Sequence, residues 1–103
     1  MPREPRDHHI PLQAAAALTR RFRQDAGKGA VLGELFGRAA LEGLLRQPGC
    51  EGIRIYFGRN EGGQSALVLV GVDATDADMT SGTILEQGFP CPPVCGSANP
   101  LNS

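Results

Sequence analysis

Ile53-Arg54-Ile55-Tyr56-Phe57-Gly58, then Asn60-Glu61-Gly62-Gly63, then Ala66-Leu67-Val68-Leu69-Val70-Gly71-Val72 decide the fold. In the first string apolar and other residues alternate with period two, the pattern of a strand with one buried face. The second string is a turn cluster rich in the residues that tolerate left-handed backbone angles. The third is a β-branched run that is apolar on both faces. Together they predict an antiparallel β-hairpin, extended to three strands if Thr83-Ile84-Leu85-Glu86 joins it. A strand apolar on both faces needs cover from two sides or a central place in its sheet.

Helical segments precede the hairpin. Pro11 suits the first position of a helix running to about Gln24, with Leu12, Ala15, Ala16, Thr19 and Phe22 on one stripe and Leu18 widening it. Arg20, Arg21 and Arg23 form the opposite side. Residues 31–47 carry Leu32, Leu35, Phe36, Ala39, Ala40, Leu44 and Leu45 at helical spacing, interrupted by Gly33, Gly37 and Gly43. They predict one helix, or a short turn and a helix starting near Gly37, and Pro48 ends either version. From about residue 87 a tail dense in Pro and Gly predicts irregular chain. Residues 1–9 read as a flexible polar arm, and residues 10–103 as one domain. The fold class is α+β: two N-terminal helices, the hairpin or three-stranded sheet, and an irregular tail folded back over it.

Composition agrees with a folded domain. Leu, Ile, Val and Phe are 24 of the 103 residues, above the roughly 20% below which disorder is the rule. A net charge of −1 argues against a dedicated nucleic-acid binder, whose affinity comes largely from neutralising phosphates. Arg20, Arg21, Arg23 and Lys28 are read as a solvated helix face, since Phe22 falls on the apolar stripe. The opening residues lack the apolar core of a secretory signal, and no apolar run approaches the roughly 20 residues of a membrane span. A soluble, cytoplasmic protein is expected.

The chemistry concentrates in Cys91-Pro92-Pro93-Val94-Cys95-Gly96. Two thiols at this spacing can share a metal, close a small disulfide or stay free. Zinc is the metal such a knuckle would hold, and it needs four ligands. Cys50, His8, His9 or a second subunit would have to complete the set beside Cys91 and Cys95. Asp73, Asp76 and Asp78 form an acidic cluster. Counted from Asp76, a calcium loop would require Gly at its sixth place and Glu at its twelfth, where Ser81 and Gln87 stand. An Asx-rich turn is expected there. No nucleophile stands at a recognisable spacing from a base and its orienting group, so catalysis is not indicated.

Three strings, Gln47-Pro48-Gly49-Cys50-Glu51-Gly52-Ile53-Arg54-Ile55-Tyr56-Phe57-Gly58, Leu67-Val68-Leu69-Val70-Gly71-Val72-Asp73 and Cys91-Pro92-Pro93-Val94-Cys95-Gly96, are similar to those of a group of small uncharacterised bacterial proteins of about this length. The resemblance implies a single domain and carries no activity or site.

Two function classes follow. The first is a small non-enzymatic interaction or structural protein that self-associates through its sheet, because two helices cover one sheet face and leave apolar surface over. With Ile53, Ile55 and Phe57 turned to the helices, Arg54, Tyr56, Val68 and Val70 are the expected interface, and a second copy of the chain is the expected partner. The second class is a zinc-binding or thiol-redox protein built on Cys91 and Cys95, with Cys50 as a further ligand.

Overall fold

The hairpin turn sets the register of everything around it. In the computed structural model, which describes Glu4 and residues 6–103, β2 (Gly52–Arg59) pairs antiparallel with β3 (Ser65–Val72). Gly63 N–H closes on Asn60 C=O at 3.0 Å, and Gly63 itself adopts φ 83°. This is a type I turn followed by a left-handed residue, and glycine takes that position without the steric cost of a side chain. The Asn60 side chain adds a bond from Gln64 N–H at 3.0 Å. A two-residue strand, β4 (Ile84–Leu85), pairs with Leu69 and Val70, so the sheet order is β2-β3-β4 and β3 is central. The strand apolar on both faces thus takes the central place.

Helix α1 (Leu12–Asp25) starts after Pro11. Helix α2 (Arg38–Leu45) starts after Gly37 and ends before Pro48 and Gly49, the latter at φ 83°. Residues 33–35, which lie within the helical spacing of 31–47, form strand β1 (Gly33–Leu35) instead. Gly33 and Gly37 each weaken a helix by about 1 kcal/mol, and the extended form gains a partner. That partner is β5 (Phe89–Cys91), paired antiparallel with Gly33 opposite Cys91 and Leu35 opposite Phe89. Leu32 N–H extends the pairing to Cys91 C=O at 2.7 Å.

Within the tail, Arg23 of α1 donates to the carbonyls of Leu101 at 2.7 Å and Ser103 at 3.2 Å. Arg23, expected on a solvated face, therefore fastens the C-terminal residues to α1. Of the expected N-terminal arm, residues 1–3 and 5 lie outside the described residues; residues 6–9 are exposed.

The buried apolar set is small: Ala16, Leu44, Leu69, Val70 and Val72, with Leu44 wholly enclosed. Leu44 comes from α2, Ala16 from α1 and the other three from β3, whose Leu69 lies on one sheet face and Val70 and Val72 on the other.

Candidate functional site

Residues directly opposite in an antiparallel pair share a sheet face. Ile53, Ile55 and Phe57 therefore lie with Leu67, Leu69 and Gly71 on one face, and Arg54 and Tyr56 with Val68 and Val70 on the other. The chain covers the first face at the Ile53 end and over Leu69 of β3. There the turn after α2 presses on Gly71: a Cβ at that position would stand 3.0 Å from Gln47 Nε2 and 3.1 Å from Cys50 Sγ. Gln47 fixes this packing, donating to Leu44 C=O at 2.9 Å and accepting from Thr83 N–H at 2.8 Å.

Further along the same face the cover stops. Ile55 is 51% exposed and Phe57 92% exposed. The expectation that the helices cover all three of Ile53, Ile55 and Phe57 is corrected here: α2 spans eight residues, about 12 Å at 1.5 Å per residue, and the β2–β3 ladder is longer than that. Phe57 and Leu67 instead border an apolar hollow of about 250 Å³ shared with Phe22, Val31 and Leu32. Glu34 lies at its side and accepts the Leu67 N–H at 2.6 Å through Oε1. A carboxylate thus ends the ladder where β4 stops short.

The reverse face carries a clasp. Val72 bridges to Asp78, so residues 73–78 fold back beside the sheet. Asp73 drives the turn, its Oδ1 accepting from Thr75 N–H, Thr75 Oγ1 and Ala77 N–H at 2.7–3.1 Å. These bonds, led by the Thr75 hydroxyl, hold the Asp73 carboxyl below its usual range. Asp78 then receives Arg54 Nη1 on Oδ1 at 2.5 Å and the Tyr56 hydroxyl on Oδ2. Arg54 also donates to Asp76 C=O at 3.3 Å. The Tyr56 hydroxyl, and then Arg54, depress the Asp78 carboxyl. In return the bond to Asp78 raises both Tyr56 and Arg54.

Of the four residues expected at an interface, Val70 is 4% exposed and so already buried within the chain. Val68 is half-buried, Arg54 is tied to Asp78, and Tyr56 keeps its ring partly exposed. The part of the sheet that stands open is the distal isoleucine face, with Ile55 and Phe57.

The three cysteines fall in two places. Cys91 and Cys95 are bonded to each other as a disulfide, with Cα atoms 4.8 Å apart. The Cys91–Pro92 and Pro92–Pro93 peptide bonds are both cis. Val94 N–H returns to Pro90 C=O at 2.8 Å, closing the loop. Cys50 is free, half-buried, and turned to Gly52 C=O at 3.3 Å. Among the described residues no three His, Cys, Asp or Glu side chains gather as a metal-binding group. No described helix is long and apolar enough to cross a membrane. No family model, curated protein or solved structure matches this chain.

Proposed function

We propose that this chain is a small non-enzymatic interaction protein whose partner is itself, associating through the β2–β3 sheet. One observation carries the reading: Ile55 and Phe57 stand open on a sheet whose chain buries few apolar side chains. A folded monomer of 10.9 kDa exposes about 5,600 Å² by the usual scaling with mass. This chain exposes 7914 Å². Exposed residues 6–10 account for part of that excess. An interface of standard size would remove about 800 Å² from each partner. Replacing Ile55 and Phe57 together by Ser is expected to weaken association at least tenfold, with the circular dichroism spectrum unaltered. Light scattering on both proteins at equal concentration reads this. Unchanged association would remove the sheet face from the account.

A second reading rests on the Cys91–Cys95 bond, which favours thiol–disulfide chemistry over zinc at this pair. Zinc would need both sulfurs as thiolates and two more ligands. Thiol titration of the untreated protein under denaturing conditions is expected to yield one thiol, Cys50, and three after reduction. Three thiols without reduction would remove this reading.

A further inference from the structure

β2 is an edge strand, and the phase of its backbone hydrogen bonds can be read from its neighbours. Hydrogen-bonded and non-bonded pairs alternate along an antiparallel ladder. Asn60 N–H donates to Gln64 C=O at 2.9 Å, one step beyond the Arg59–Ser65 pair. The even-numbered residues of β2 therefore turn their backbone groups to β3, and Ile53, Ile55 and Phe57 turn theirs outward. The far side of β3 agrees. Leu67 N–H, opposite Phe57, goes to Glu34, and Gly71 C=O, opposite Ile53, accepts from Met79 N–H at 2.8 Å. No described residue bonds the outward N–H or C=O groups of Ile53, Ile55 and Phe57. The strand carries no proline, no bulge within these residues, and no lysine to blunt it.

We infer that β2 pairs antiparallel with β2 of a second copy about a two-fold axis through Ile55, joining two three-stranded sheets into one of six. The inference rests on the self-association proposed above and assigns it a register. Three registers place outward backbone groups opposite each other near the strand centre. A centre at Arg54 sets Arg54 against Arg54 of the second copy, and like charges directly opposite are destabilising. A centre at Tyr56 sets Glu51 against Glu61 of the second copy. A centre at Ile55 sets Ile53 against Phe57 and Arg54 against Tyr56, and brings Glu51, which stands just before β2 with its N–H on Val72 C=O at 2.7 Å, beside Arg59, each with its mate in the second copy. Only this register opposes unlike charges, and it does so twice by symmetry. It also sets Phe57 beside Ile53 of the second copy on one face, an apolar cross-strand contact that forms at both ends of the axis.

The experiment exploits those two ion pairs. Glu51 and Arg59 are both exposed. Glu51→Arg alone faces Arg with Arg, and Arg59→Glu alone faces Glu with Glu. At low salt each single variant is expected to associate about tenfold more weakly than the native protein. An equimolar mixture of the two variants restores opposite charges at both ends, and is expected to associate as tightly as the native chain. Sedimentation equilibrium reads all four samples, with circular dichroism as the check on folding. Single variants that associate like the native protein, or a mixture no tighter than its components, would overturn this pairing and leave sheet association standing. A native protein that is monomeric would overturn both.

Discussion

Asp78 is the residue on which the reverse face of the sheet depends. Its carboxylate receives Arg54 and Tyr56 across the strand, and both donors bond its ionised form more strongly than its neutral one. Its folded value lies below the ordinary 3.8, so the unfolded chain takes up the proton first as the pH falls. The stability it contributes is complete above about pH 5 and is lost as the pH falls through the depressed value. Asp73 behaves alike through Thr75 and Ala77. Asp78→Asn is therefore expected to lower the melting temperature at pH 7 and to reduce, without abolishing, its fall in acid. Melts at pH 7 and pH 3 check this, and an unaltered acid fall would remove Asp78 from the clasp. Part of this was legible in the residues. Three aspartates directly after a strand announce an Asx turn, and Asp73 makes it. That Asp78 closes on Arg54 and Tyr56 depends on the chain doubling back beside Val72, which no local pattern encodes.

At the scale of elements, the hairpin was the most legible part because its signals are local: alternation on β2, a turn cluster, and a β-branched run. The start of α2 at Gly37 was among the expected outcomes. The pairing of β1 with β5 was not. Each strand has three residues, and more than fifty positions separate them, so neither carries a periodic signal of its own. The fit of α2 against the sheet is similarly non-local, and Gly71 marks it. A methyl group there would press on Gln47 Nε2, Cys50 Sγ and Met79 Sδ at 3.0–3.3 Å. Gly71→Ala is expected to destabilise the fold by about 1–3 kcal/mol, as overpacked cores do. Chemical denaturation measures it, and a variant as stable as the native chain would mean that α2 shifts to accommodate the methyl.

For the molecule as a whole, size and surface point the same way. The radius of gyration is 15.3 Å, against about 13 Å for a compact chain of 100 residues. Five buried apolar side chains among the described residues are a small core for this length, and a second copy laid along the sheet would enlarge it without further residues. The surplus was expected on the strand apolar on both faces, yet β3 buries Leu69, Val70 and Val72, and the open side chains, Ile55 and Phe57, stand on β2. That placing follows from how little of the sheet an eight-residue helix spans. The central claim is that this chain is completed by another like it. Sedimentation equilibrium of the native protein at micromolar concentration tests it most directly. A mass of twice 10.9 kDa, or a higher multiple, is the expected result; a mass of 10.9 kDa at every micromolar concentration would contradict it.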